Sequence, residues 1–338
     1  MNKALIDLAP KILEKIKNSK TILLHNHPSP DADSVGGTLA LMYVLEGLGK
    51  SVTIISGDSK TPEDLKYLPG SEKILQKNFF QIDLSRFDLF LILDSSNTDM
   101  ISREGEVIFP ENLKTIVLDH HTSNKGFATI NLICPEYVAT CHLIYDLIKQ
   151  WQIDINPESA LCLLIGIYFD SGGFKYFPTN SHTFLAAAEL SKIAPDYCKT
   201  IMLMENSYHP KDIEFLKLGL NSIHNYFLGK VAVSEIRFED LEEEQIKEEN
   251  IDKAHLSNIL KSVVGWEIGV SLIEIKKGIV NVGLRTRNPE LYDLSKLALA
   301  LGGGGHPGAG GATINKPFDQ AREILIDKIS KVFPDLKS

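Results

Sequence analysis

The chain has 338 residues, room for two domains of ordinary size. Hydrophobic residues make up 43% and charged residues 23%, the balance of a globular protein with packed cores rather than a disordered chain. A formal net charge of −9 argues against broad affinity for long duplex nucleic acid, which takes many phosphate-neutralising Lys and Arg side chains. Short anionic substrates held by a local basic pocket and metal ions are not excluded.

The first twenty residues place Leu5, Leu8, Ile12, Leu13 and Ile16 at helical spacing between charges, which predicts an amphipathic helix rather than a signal peptide. No apolar run approaches the ~20 residues that span a bilayer, so a cytoplasmic location with no membrane partner is expected. Residues 21–25, 52–56, 89–93 and 115–118 read as strands, and 4–18, 34–48, 139–150, 158–169 and 181–193 as helices. Such alternation predicts an α/β fold, a parallel sheet with helices on both faces. In open sheets of this kind ligands bind beyond the carboxyl ends of the strands. Beyond residue 193 the pattern changes. Residues 194–225, with breaks at Pro195 and Pro210, read as a helical linker, and 226–338 as a smaller second α/β domain after a first domain of 1–193. In that second domain 266–275 and 278–285 read as a hairpin, 291–301 and 317–332 as helices, and the acidic run 239–244 as a solvated helix face. Cys134, Cys141, Cys162 and Cys198 form no CxxC pair and read as buried free thiols.

Three of the predicted strands stop in potential metal ligands. The run Thr21–Leu24 leads into His27-Pro28-Ser29-Pro30-Asp31-Ala32-Asp33, Leu89–Leu93 ends in Asp94, and Thr115–Leu118 leads into Asp119-His120-His121. Taken singly, each has an ordinary reading. Asp31 and Asp33 suit a turn or the N-cap of the helix starting near Ser34, Asp94 suits a turn through Ser95-Ser96, and His120-His121 suits a packed pair. Together at successive strand ends they favour a site. His27, Asp31, Asp33, Asp94, His120 and Asp170 offer oxygen ligands with two imidazoles, a set for hard to borderline divalent ions. Carboxylates so crowded would repel one another without cations. Two-metal sites stabilise in-line displacement at phosphorus and supply a nucleophile at neutral pH, which points to a metallohydrolase. In the second domain Gly302-Gly303-Gly304-Gly305 runs into His306, and Arg285 and Arg287 end the preceding strand. Glycines let a backbone approach an anion closely, and Arg matches phosphate geometry with forked hydrogen bonds.

The motif His27–Gly36 resembles HxxPDxDxxG of the DHH phosphoesterase superfamily, and Asp119-His120-His121 resembles the triplet that names it. Ile92–Ser96 and Gly166–Gly172 are similar to its second and fourth motifs, and the glycine-rich segment with His306 resembles the DHH-associated C-terminal domain. The resemblance implies that His27 and Asp31 hold one metal, that Asp33, His120 and Asp170 hold a second, and that Asp94 bridges them. It implies that His121 faces the scissile phosphate and that Asp119 orients an imidazole as a catalytic partner. Gly303, Gly304, Gly305, His306, Arg285 and Arg287 would grip the substrate. His25, two residues before the motif, is left between packing and a supporting role. The implied cofactors are two divalent ions, Mn²⁺ first, with Mg²⁺ or Co²⁺ as alternatives. The implied activity is that of a nano-RNase and pAp phosphatase, acting on short oligonucleotides or 3′-phosphoadenosine 5′-phosphate. The alternative is a phosphodiesterase for a cyclic dinucleotide or its linear product, and a homodimer is implied by the resemblance alone.

Overall fold

Asn2 caps the first helix, its side chain accepting from the backbone N–H groups of Ala4 and Leu5. That helix, α1 (Lys3–Lys17), buries Leu5, Ala9, Ile12 and Ile16 on one stripe, as the periodicity predicts. The computed structural model describes residues 2–251 and 253–337. It divides into two units, Met1–Ser207 and Tyr208–Ser338.

The first unit continues with β1 (Thr21–His25), α2 (Ala32–Gly47), β2 (Ser51–Ile55), β3 (Leu89–Leu93), β4 (Lys114–Asp119), β5 (Ile130–Ile133), α3 (Thr140–Gln150), α4 (Pro157–Asp170), α5 (Ser181–Ile193) and α6 (Tyr197–Glu205). The strands form one parallel sheet in the order β2-β1-β3-β4-β5. All of β3 is buried, the mark of a strand covered on both faces, which is why its sequence is unbroken Leu, Phe and Ile. Successive side chains then part. Leu24, Leu91, Leu93 and Leu118 join the core under the α-helices, while Leu23, Phe90, Ile92 and Val117 join a second core with Phe79, Ile101 and Leu113. Helices do lie on both faces, but α-helices cover only the first. The segment over the second face contributes single 3₁₀ turns such as Phe79–Gln81 and Thr98–Met100. Strand β5 was not legible in the sequence.

The segment expected to be a linker contains α6, then α7 (Pro210–Asn221) and β6 (Ile223–Tyr226), and the boundary between units falls inside it. The second unit adds β7 (Val231–Ile236), α8 (Phe238–Glu243), α9 (Lys253–Lys261), β8 (Ile268–Lys276), β9 (Ile279–Thr286), α10 (Leu294–Ala300), β10 (Gly304–His306), β11 (Ala309–Ile314) and α11 (Phe318–Val332). Its mixed sheet runs β10-β11-β9-β8-β7-β6, with the expected hairpin β8–β9 near its centre. Val231, Val233, Val270, Leu272, Val282 and Leu284 pack against Leu297, Phe318, Leu325 and Ile329 of α10 and α11. Cys134, Cys141 and Cys162 are buried free thiols as expected, but Cys198 is exposed on α6, where a short helix presents it to solvent. Among the described residues no helix is long and apolar enough to cross a membrane.

Gly36 explains the last position of the first motif. It lies on the fully buried side of α2 where α4 crosses, and a Cβ there would meet the Cys162 carbonyl oxygen at 2.6 Å. Gly36→Ala must therefore force α2 and α4 apart. The expected cost is about 1–3 kcal/mol in denaturant unfolding of the full chain. A change below ~0.5 kcal/mol would contradict this packing.

Candidate active site

In the sheet order, β2 lies on one side of β1 and β3 on the other, so the connections leaving β1 and β2 run in opposite directions. The carboxyl ends of β1 and β3 are thus the switch point where a crevice opens. The chain leaves β1 through His27 to Asp31, which caps α2 by accepting from Asp33 N and Ser34 N at 3.0 and 2.9 Å. The N-cap reading of Asp31 is therefore correct, and its second carboxylate oxygen still faces His27 Nε2 at 3.5 Å.

Asp33 is buried in the first turn of α2. Its carboxylate accepts from the backbone N–H groups of Thr140 (2.6 Å) and Cys141 (2.8 Å), which open α3. A helix N-terminus favours an anion by its orphan N–H groups and its dipole. Asp94 is the first residue past β3 and has a left-handed backbone, φ 51°. That conformation is costly for a residue with a Cβ, by ~1–3 kcal/mol. It sets Asp94 Oδ2 3.5 Å from His27 Nε2, and Oδ1 3.6 Å from both His120 Nε2 and His121 Nδ1. Thr140 Oγ1 donates to Asp94 Oδ1 at 3.1 Å. His120 follows β4 directly. Its Nδ1 donates to the Tyr137 carbonyl oxygen at 3.2 Å, and its Nε2 faces Asp170 at 3.4 Å and Asp33 at 4.0 Å. Asp170 ends α4.

The structure therefore gathers His27, Asp31, Asp33, Asp94, His120, His121 and Asp170 from the ends of β1, β3, β4 and α4 and the start of α2. Asp119 is wholly buried. One of its oxygens accepts from His121 Nδ1 at 2.7 Å and the other from Asn124 Nδ2 at 2.7 Å. His25 points to the second face of the sheet, edge-on to Phe90 at 5.4 Å, with Ser95 Oγ 3.4 Å from Nε2. Burial, then the neighbouring His27, push its pKa down to about 3, so it packs as a neutral ring. Sequence reasoning missed Thr140, Cys141, Asn124 and the Tyr137 carbonyl. Only the clamp on Asp33 had a signal, a predicted helix beginning at residue 139.

Charge crowding dominates the electrostatics. Burial, then the Asp94 charge, push Asp33 up to about 7. Burial, then Asp33, Asp31 and Asp94, hold Asp170 well above the carboxylate range. Burial works against the charged form of His27, yet Asp31 and Asp94 overcome it and raise the ring to about 10. His121 likewise rises to about 9 against its burial, through its hydrogen bond to Asp119 and the Asp94 charge. Burial pushes Asp94 up, but His27, His121 and His120 outweigh it and hold this carboxyl well below the usual range.

The donor set fits metal ions. Contacts of 3.4–3.6 Å between His27, Asp31, Asp94, His120 and Asp170 exceed good hydrogen bonds. They approach the ~3.0–3.4 Å spacing of ligand atoms around an ion with bonds of about 2.1 Å. Two separate groups, His27–Asp31–Asp94 and Asp33–His120–Asp170, have ligand atoms close enough to hold an ion, and Asp94 also groups with His120 and His121. His120 donates its remote nitrogen to a carbonyl, the usual support of a metal-binding imidazole. His27 Nδ1 has no such partner.

In the second unit the glycine run is a hairpin rather than a loose loop. His306 pairs with Ala309, and Ala309 pairs with Arg285, so these three side chains stand abreast on β10, β11 and β9. Gly303 is required by close packing, since a Cβ there would lie 2.0 Å from the Gly311 carbonyl oxygen. Gly304, Gly305 and His306 are exposed, Arg285 is half-buried, and Arg287 is exposed with its guanidinium on the Val263 carbonyl.

Residues 21–167 match the DHH family, N-terminal domain. The chain is 27% identical over 328 residues to the bifunctional oligoribonuclease and PAP phosphatase NrnA of Thermus thermophilus, covering 95% of this chain and 92% of that protein. It is 25% identical over 325 residues to the protein of the same name from Mycoplasma genitalium, covering 95% and 96%. An exopolyphosphatase-related protein from Bacteroides fragilis shares the fold, with a TM-score of 0.89 at 23% identity over 100% of this chain and 98% of that one. Residues 21–167, which span the first three motifs, are thus a DHH-family N-terminal domain, and with relatives that run the length of both units they point to a metal-dependent hydrolase of phosphoester bonds.

Proposed function

We propose that the protein is a two-metal phosphoesterase that hydrolyses very short oligoribonucleotides and removes the 3′-phosphate of 3′-phosphoadenosine 5′-phosphate. The observation that carries this reading is Asp94, whose two oxygens face different ligand groups. Relatives named for both activities cover more than nine tenths of the chain, which supports the choice of substrates.

In this reading His27 and Asp31 would hold the first ion and Asp33, His120 and Asp170 the second, with Asp94 within reach of both groups. Divalent cations bound there supply Lewis-acid stabilisation of charge at phosphorus and a nucleophile at neutral pH. Mn²⁺ is the ion we assign, because oxygen donors mixed with imidazole suit it. Asp119 accepts a hydrogen bond from His121 Nδ1, which fixes the ring and favours its charged form. His121 then presents a charged donor to a phosphate oxygen or to the departing group. Arg285 and His306, with the small Ala309 between them, form a shelf for the substrate's far phosphate or base, aided by Arg287 and the backbone of Gly303, Gly304 and Gly305. A cytoplasmic location, read from the apolar patterning of the sequence, and a homodimer, read from family resemblance, complete the proposal.

Purified protein with Mn²⁺ is expected to turn over a five-mer RNA, a linear dinucleotide and pAp, and to cleave cyclic di-AMP more slowly. Preference for the cyclic dinucleotide would overturn the substrate assignment. Asp94→Ala should lower kcat/KM on every substrate by at least about a thousandfold, roughly 4 kcal/mol, with an unchanged circular dichroism spectrum. Retention within tenfold would remove Asp94 from its bridging role.

Protons on His27, Asp33 and Asp170 stand where cations would, and each pKa is raised. Metal binding must displace those protons, so affinity should rise with pH through the neutral range. About tenfold per pH unit is expected for each proton released. Mn²⁺ titration by calorimetry at pH 6 and pH 8 checks this, and equal affinities would contradict it.

A further inference from the structure

A second gathering of imidazole and carboxylate lies in the first unit, outside the Asp94 cluster. His142 and Asp146 are one turn apart on α3, and His182 is in the first turn of α5. One ligand atom from each lies within 4.8 Å of the others. His182 Nε2 is 3.2 Å from Asp146 Oδ2, and the rings of His142 and His182 have centroids 4.8 Å apart. Tyr137 closes the group. Its hydroxyl donates to Asp146 Oδ2 at 2.6 Å, and its ring meets His142 edge-on at 4.8 Å.

His142 is the informative member. It is 1% exposed, and neither ring nitrogen has a hydrogen-bond partner. A buried polar atom left unsatisfied costs about 1–3 kcal/mol, and an apolar side chain would avoid that cost. Elsewhere α3 buries Leu143, Ile144 and Leu147 completely, whereas the side that carries His142 also carries the buried carboxylate Asp146. An imidazole there makes physical sense as a ligand. His182 is half-exposed and lines a cavity of about 290 Å³ with Asn2, Glu136, Tyr137 and Asn180, which gives an ion a path and a fourth ligand position.

We propose that His142, Asp146 and His182 form a third metal site, selective for a borderline ion of the Zn²⁺ type. Two imidazoles and one carboxylate with an open position match that ion, whereas the oxygen-rich Asp94 cluster suits harder ones. The ligand atoms must close to the ~3.3 Å spacing of a tetrahedral ion, and exposed His182 is the side chain with room to move. The site braces rather than reacts. α3 begins with the Thr140 and Cys141 amides that hold Asp33, and the Tyr137 carbonyl holds His120. An ion joining α3 to α5 would stiffen the platform beneath both.

The test uses the full chain, stripped with chelator, saturated with Mn²⁺, equilibrated with Zn²⁺ and desalted. Bound zinc and manganese are then counted by mass spectrometry. Wild type is expected to keep one more zinc per chain than His182→Ala, a substitution at a half-exposed position that need not disturb the core. His142→Gln should show the same loss. Zinc should raise the Tm of wild type by a few degrees more than that of either variant. Zinc that replaces manganese at the Asp94 cluster does so in all three proteins and cancels in the comparison. Equal zinc in wild type and His182→Ala overturns the proposal. Mn²⁺-dependent turnover of His182→Ala, measured without zinc, should stay within about twofold of wild type. That arm reports on the Asp94 cluster separately, so failure of either site is recognised by itself.

Discussion

Asp94 is a buried carboxylate with an imidazole facing each side, and the first unit is arranged to make that tolerable. A lone buried charge costs several kcal/mol, so its partners must be fixed and close. The parallel sheet supplies the fixing. β3 carries Asp94 between β1, which delivers His27, and β4, which delivers His120 and His121. Strands about 4.8 Å apart set these groups at contact distance before any side chain adjusts. The left-handed backbone of Asp94 then spends some folding free energy to turn the carboxylate into the crevice.

The helices complete what the strands begin. α2 brings Asp31 and Asp33 in on its first turn, and α3 meets Asp33 with two N–H groups. Without that clamp, Asp33 would be a buried anion close to Asp94 with nothing to offset it, and burial, then the Asp94 charge, already raise its pKa. Cations relieve the repulsion that the protein's own dipoles relieve only in part. This is the physical reason that a cluster so poor for a metal-free fold is so suited to a metalloenzyme.

Much of this was legible in the sequence because strongly buried strands write long apolar runs. β1 and β3 were expected at 21–25 and 89–93 and lie at Thr21–His25 and Leu89–Leu93. The edge strand β2 was displaced by one residue, and the four-residue edge strand β5 left no readable run. His27, Asp94 and His120 were visible as candidate ligands because they lie just past the buried strands β1, β3 and β4, whereas Asp170 ends α4 and was marked only by its motif. Their supports were not visible. Thr140 reaches Asp33 across 107 residues of chain, a closeness set by tertiary packing. In the second unit the glycine run suggested backbone freedom, whereas its register with Ala309 and Arg285 shows close-packed pairing with one exposed shelf. Glycine content alone does not distinguish those two uses.

The central claim is that Asp94 is shared by two ions. Anomalous diffraction from crystals grown with Mn²⁺ tests it most directly. Two manganese peaks are expected, one beside His27 and Asp31, the other beside Asp33, His120 and Asp170, each at bonding distance from Asp94. A single peak, or two peaks of which only one is bonded to Asp94, would contradict the account.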